Sequence, residues 1–175
     1  MNILGLCGSL QARSSNAALL RAAAKSAPAG VGFTTFDSLG DLPHFNPDLE
    51  AGGSAVPGPV AGFRARLDEA GGVLIATPEY AHSLPGVLKN ALDWVVGSGE
   101  LSGKRVAVLG GAPNQAGGLR AQLALIPVLL AMDAVVVANL ALPHVRKALD
   151  EAGEVADPAT LRRIAALVRT LASEG

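Results

Sequence analysis

Val73-Leu74-Ile75-Ala76-Thr77-Pro78-Glu79-Tyr80-Ala81-His82-Ser83-Leu84-Pro85-Gly86-Val87-Leu88-Lys89-Asn90-Ala91-Leu92-Asp93-Trp94-Val95-Val96 is the stretch whose reading decides the fold. It begins with a short apolar run without alternation, the pattern of a strand buried on both faces of a parallel sheet. The strand is expected to end at Thr77, because Pro78 cannot donate to a ladder. Glu79, Tyr80, His82 and Ser83 make a polar and aromatic turn. Pro85 suits the first position of a helix, with Ser83 near enough to cap it. Leu84, Val87, Leu88, Ala91, Leu92 and Val95 recur at helical spacing and give that helix one apolar face. A strand running through a polar turn into a helix puts the turn at the carboxyl edge of the sheet, where open α/β folds bind ligands.

Upstream, Ile3 to Cys7 reads as a first buried strand that runs into Gly8-Ser9-Leu10-Gln11-Ala12-Arg13-Ser14-Ser15-Asn16. A helix is expected from Ala17, carrying Leu19, Leu20 and Ala23. A strand, a hydroxyl-rich loop and a helix amino terminus can hold a phosphate: backbone N–H groups and the helix dipole favour the anion, and Ser and Asn side chains add hydrogen bonds. Helix capping by Ser14, Ser15 or Asn16 is compatible with that role. Neither G-x-G-x-x-G nor a P-loop ending in G-K-[ST] is present, so the loop suits a mononucleotide better than a dinucleotide or ATP.

Val31 to Phe36 reads as a second strand, and Val60 to Ala70 as a helix. The long Gly/Pro/Asp/Asn-rich loop between them, Asp37 to Pro59, has the length of a functional or mobile segment. In it His44 and Phe45 are candidates for the border of a site, against a plain solvated histidine. Arg105 to Leu109 is the fourth strand, and the turn Gly110 to Gly118 follows, with Gly111 and Gly117 letting backbone approach a flat ligand. A helix over Leu119 to Met132, a fifth strand over Ala134 to Ala138 and a helix marked by Leu161, Ile164, Ala165, Val168 and Leu171 complete the chain. Five strands alternating with helices predict a single α/β domain over residues 1–175. The expected architecture is a flavodoxin-like three-layer sandwich on a five-stranded parallel sheet of order 2-1-3-4-5. That order gathers the loops after strands 1, 3 and 4 at one edge.

The chain has 175 residues, half of them hydrophobic, and a formal net charge of −1. Its length is enough to bury roughly 70% of its unfolded surface. Without a basic or acidic block, nucleic acid and anionic lipid are poor partners, and the chain lacks the strongly acidic docking face expected of a dedicated electron carrier. The one cysteine, Cys7, allows no intrachain disulfide and suggests no metal cluster. No segment approaches the roughly 20 apolar residues of a membrane helix. The amino-terminal residues lack a positive leader and long apolar core. These features predict a cytoplasmic location.

Residues 77–94 resemble the Thr-Pro-Glu-Tyr-Asn-x-Ser-x-Pro-Gly-x-Leu-Lys-Asn-x-x-Asp-Trp signature of the NADPH-dependent FMN reductase family, the quinone and chromate reductase-like flavoproteins. Ala81 stands where that signature has Asn. Residues 8–16 resemble the family's Gly-Ser-Leu-Arg-x-x-Ser-x-Asn element at Gly8, Ser9, Leu10, Ser14 and Asn16. Gln11 occupies the arginine position. The resemblance implies FMN as cofactor, NADPH or NADH as reductant, and a small-molecule electron acceptor: a quinone, flavin, azo compound or metal oxyanion. Ser9, Gln11, Arg13, Ser14, Ser15 and Asn16 then take the phosphate, with Arg13 offered in place of the missing arginine. Pro78, Glu79, Tyr80, Ala81, His82 and Ser83 border the ring, Tyr80 on the hydride-transfer face, and Gly111 and Gly117 flank it. The chemistry belongs to the flavin, so no separate catalytic acid or base is needed. A homodimer or homotetramer with the helix from Pro85 near the interface is also implied. A charge-assisted bond is worth about 1.5–3 kcal/mol, so losing the arginine is expected to weaken FMN binding by one to two orders of magnitude.

Two other readings stay open on the residues. Gln11 and Ala81 allow a flavin-binding or regulatory module without useful turnover. Cys7 and Arg13, in Cys-x5-Arg spacing before Ser14, resemble the loop of low-molecular-weight tyrosine phosphatases, in which a thiolate of lowered pKa attacks phosphorus. Asp157-Pro158 would have to supply that reaction's acid, although Asp before Pro is also an ordinary helix start.

Overall fold

The computed structural model describes residues 1–51 and 56–173. The apolar runs become β1 (Asn2–Cys7), β2 (Gly32–Phe36), β3 (Gly72–Thr77), β4 (Arg105–Gly111) and β5 (Val135–Leu142). They form one parallel sheet in the order β2-β1-β3-β4-β5, the flavodoxin-like order. The helices are α1 (Ser15–Lys25), α2 (Asp48–Ala51), α3 (Gly58–Glu69), α4 (Gly86–Asp93), α5 (Leu119–Ala131) and α6 (Pro158–Ala172).

Side chains alternate across the sheet. Leu4, Leu6, Val73, Ile75, Val106 and Val108 pack against α3, α4 and α5 on one face. Ile3, Leu74, Ala76, Ala107 and Leu109 pack against α1 and α6 on the other. β3 is buried along its whole length, as a central strand covered on both faces must be.

Several boundaries differ from expectation for local reasons. Pro85 is the cap residue of α4 rather than its first helical residue, and Ser83, two residues upstream in the preceding turn, does not cap the helix. Gly110 and Gly111 belong to β4. A Cβ on Gly110 would lie 2.8 Å from Gln122 Nε2, and one on Gly111 would lie 2.8 Å from Val145 Cγ2, so these glycines serve close packing rather than a flexible turn. β5 extends to Leu142, past the expected end, after a one-residue irregularity opposite Val106 and Ala107. In the long segment after β2, Leu39–Asp41 makes one 3-10 turn and α2 follows; residues 52–55 of that expected loop lie outside the described residues.

Candidate functional site

The loops after β1, β3 and β4 meet at the carboxyl edge of the sheet, joined there by the segment after β5. They enclose a cleft of ≈250 Å³ lined by Ser9, Gln11, Ser14, Ser15, Asn16, Pro78, Glu79, Tyr80, Gly111, Ala112, Pro113, Val145 and Arg146. A larger groove of ≈470 Å³ lies between α1 and α6, lined by the carboxyl half of α1. In a parallel α/β fold that half faces the opposite edge from the one at which ligands bind.

The β1–α1 loop is built around its hydroxyls. Ser14 caps α1, its Oγ accepting from the Ala17 amide at 3.3 Å, while its own amide donates to the Gln11 carbonyl at 3.1 Å. Ser9 Oγ accepts from the Gln11 amide at 3.3 Å and lies 3.4 Å from the Tyr80 hydroxyl across the cleft. The first amides of α1 have no acceptor inside the helix. The mouth therefore presents N–H and O–H donors with a positive helix end behind them, which suits an anion. Asn16 is buried and committed elsewhere. Its Nδ2 donates to the Gly111 carbonyl at 3.1 Å, and its Oδ1 accepts from the Gly111 amide at 2.9 Å, so it bolts the start of α1 to the end of β4.

After β3, Tyr80 and Ser83 exchange backbone hydrogen bonds of 3.1 and 2.9 Å around Ala81 and His82. Both central residues have positive φ, 48° and 63°. This is the geometry of a tight two-residue reversal. The reversal spends the Tyr80 and Ser83 amides within the turn, and of the residues expected to border the ring Pro78, Glu79 and Tyr80 line the cleft while Ala81, His82 and Ser83 do not.

Glu79 fastens this turn to α5. Its Oε2 accepts from the Arg120 amide at 3.1 Å, and its Oε1 accepts from Arg120 Nη1 at 3.2 Å. His82 Nδ1 lies 3.4 Å from the same Oε1. Burial pushes the Glu79 carboxyl up, but the hydrogen bonds from His82 and Arg120 and the Arg120 charge outweigh it and hold the group below its ordinary value. The one carboxylate in the cleft lining is thus ionised and already paired with Arg120, which leaves less of its charge to oppose a negatively charged ligand.

Gly117 does not line the cleft. It adopts φ 62°, and a Cβ there would come within 2.6 Å of Pro143 N, so it lets the β4–α5 loop press against the end of β5. Arg13 lies in a neighbouring cavity of ≈450 Å³ that shares Ser14, Ser15 and Arg146 with the cleft. His44 is exposed, and Phe45 packs edge-on against Trp94 at 5.1 Å; neither reaches the cleft. The phosphatase reading fails on Cys7. Burial pushes its half-buried thiol above the ordinary value, the opposite of an activated thiolate, and its Sγ donates to the Ser9 carbonyl at 3.7 Å. Asp157 is the cap of α6, accepting from the Thr160 amide at 2.7 Å.

Sequence reading missed Arg120, Ala112, Pro113, Val145 and Arg146. The last two follow β5, and the strand order gave a usable hint, because β5 lies beside β4 and its exit must open near the cleft. Among the described residues no group of three or more His, Cys, Asp or Glu is placed to hold a metal ion, and no helix is long and apolar enough to cross a membrane.

The model of the NADPH-dependent FMN reductase family matches residues 1–147. An NAD(P)H-dependent FMN reductase of Pseudomonas aeruginosa is 39% identical over 135 residues, covering 76% of this chain and 71% of its own. A quinone reductase of Escherichia coli is 34% identical over 138 residues, covering 78% of this chain and 73% of its own. Among solved structures, the flavoenzyme NAD(P)H:(acceptor) oxidoreductase FerB of Paracoccus denitrificans superimposes with a TM-score of 0.81 at 31% identity, covering 97% of this chain and 94% of that one. A donor-lined mouth at a helix amino terminus, open at the carboxyl edge of the sheet, and these likenesses agree: the chain belongs to the NADPH-dependent FMN reductase family.

Proposed function

We propose that the cleft holds FMN, with its phosphate at the amino terminus of α1 and its ring between Pro78–Tyr80 and Gly111–Pro113. The chain is an FMN-dependent NAD(P)H oxidoreductase of the quinone reductase type. When bound, FMN supplies the redox chemistry, taking a hydride from NAD(P)H and passing two electrons to a small acceptor such as a quinone. The chain's residues bind and orient. Ser9, Ser14, Ser15 and the first amides of α1 donate to the phosphate, while Asn16 fixes the wall they stand on. Pro78 and the Glu79 backbone border the ring edge. Tyr80, half-exposed and leaning on Ser9 through its hydroxyl, offers the face on which nicotinamide or acceptor stacks.

The observation that carries this reading is the convergence of the β1, β3 and β4 exits on one donor-lined cleft whose only carboxylate is already paired. The test is a visible spectrum after incubation with FMN and desalting, followed by anaerobic addition of NADPH or NADH. Retained flavin that bleaches, with quinone-dependent NAD(P)H oxidation, is the expected result. Retained flavin without turnover across several acceptors would leave only a binding module, and unaltered FMN affinity in Tyr80→Ala and Gly111→Val together would move the site elsewhere. The reading includes a cytoplasmic homodimer or homotetramer of single-domain chains. Exposed Leu119, Leu123 and Leu130 on α5 supply apolar surface for it, and a monomeric mass by light scattering on the same sample excludes it.

A further inference from the structure

We propose that Arg146, after β5, is the charged partner of the FMN phosphate and takes over from the arginine that position 11 lacks. This rests on the cleft being the FMN site. Several observations converge on it. Gln11 lines the cleft but brings no charge, and its backbone is used within its own loop, the amide on Ser9 Oγ and the carbonyl on the Ser14 amide. Arg13, the nearby alternative, lines only the outer cavity, whereas Arg146 lines both that cavity and the cleft, beside Ser14 and Ser15.

The base of Arg146 is fixed. Val145 is buried, and its amide donates to the Ala112 carbonyl at 3.1 Å. The glycine at 111 leaves room for its side chain. His144, at φ 50°, turns the chain back and donates its amide to the Asn114 carbonyl at 3.2 Å. The guanidinium is therefore delivered from a short 3-10 turn, Val145–Ala148, pinned to the end of β4.

Its charge is also uncommitted. Arg146 makes no ion pair among the described residues, while Arg21, the remaining cation of the outer cavity, is paired with Glu154 at 2.7 Å. Asp150 and Glu151 line the outer cavity and not the cleft. They disfavour an anion on the outer side, so a phosphate shared between Ser14, Ser15 and Arg146 is held on the inner one. A guanidinium can meet a phosphate through two parallel N–H donors, the geometry that a glutamine at position 11 cannot reproduce.

The test compares FMN with riboflavin, which has the ring and no phosphate, by flavin fluorescence titration of the full chain. Arg146→Ala is expected to weaken FMN binding by about 10- to 100-fold and leave riboflavin binding unchanged. Adding Gln11→Arg to that variant is expected to restore most of the FMN affinity, and Arg13→Ala is expected to change it by less than about threefold, the range left by a distant surface charge. Because Arg146 is exposed, its substitution leaves the core intact, and an unchanged melting curve checks this. Unaltered FMN affinity in Arg146→Ala, or equal losses for FMN and riboflavin, overturns the inference. Wild-type protein that binds both flavins equally also overturns it while leaving the ring site standing. Failure to bind either flavin defeats the cleft reading itself.

Discussion

Ala81 carries a conformational cost that its neighbours cannot relieve. It holds φ 48° beside His82 at φ 63°, inside a reversal closed by Tyr80 and Ser83. An L-residue in this left-handed region costs roughly 1–2 kcal/mol, and asparagine and glycine tolerate it best. The family signature's asparagine at this position thus has a backbone reason. Ala81→Asn is expected to stabilise the protein by about 0.5–1 kcal/mol, read as a higher urea midpoint at unchanged slope. An equal or lower midpoint would show that the turn stores no such strain. At Asn16 the structure adds a task that the sequence reading did not include, the bond to Gly111. Residue type and position favoured a phosphate ligand or a cap, and nothing local could reveal that Gly111, far along the chain, would take both ends of the carboxamide.

Helix α4 divides its labour between core and loop. Leu88, Ala91 and Leu92 are buried under the sheet, while Asn90 and the following Trp94 reach the segment after β2. Asn90 Nδ2 donates to the Pro43 carbonyl at 3.0 Å, its Oδ1 accepts from the Phe45 amide at 2.8 Å, and Trp94 Nε1 donates to the Pro43 carbonyl at 2.8 Å. These two residues of the motif anchor that loop. Asn90→Ala is expected to cost about 1–3 kcal/mol through the half-buried groups it leaves unpaired, and to speed hydrogen exchange at the Phe45 amide. FMN affinity should stay within about twofold, because neither partner borders the cleft. A collapse of flavin binding at unchanged stability would place Asn90 at the cofactor instead.

Among the described residues, three carboxylates at joints between elements are held below their ordinary values. In Glu79, upward pressure from burial is outweighed by hydrogen bonds from His82 and Arg120. Hydrogen bonds from Arg21 and Lys25 lower Glu154, and those from Thr160 lower Asp157. The folded state binds these protons more weakly than the unfolded chain. Their contribution is therefore present above the ordinary carboxylate range, roughly pH 4–4.5, and is lost as pH falls through that range toward the lower folded values. The melting temperature should be flat in weak acid and drop below that range, with a shallower drop in Glu154→Gln; a rise on acidification would contradict the assignment. The sheet order and the positions of the cleft-forming loops were legible because buried parallel strands announce themselves as apolar runs, and β-to-α turns must emerge at one edge. Arg146 was not legible, since an exposed arginine in a short 3-10 turn has no periodicity to mark it. β5's extra length, which delivers that turn, depends on pairing with β4 as far as Gly111.

The reciprocal bond between Asn16 and Gly111 also bears on the thermodynamics of loading. In the proposed pose the wall beside the phosphate is braced by the chain's own hydrogen bonds, so its residues have little motional freedom to surrender when the cofactor docks. In the same pose the ring side is tied by a Glu79–Arg120 ion pair, whose arginine is half-exposed, and a strained reversal. In that pose most of the ordering entropy of association falls on the Tyr80 side, and the phosphate end is a preorganised first foothold.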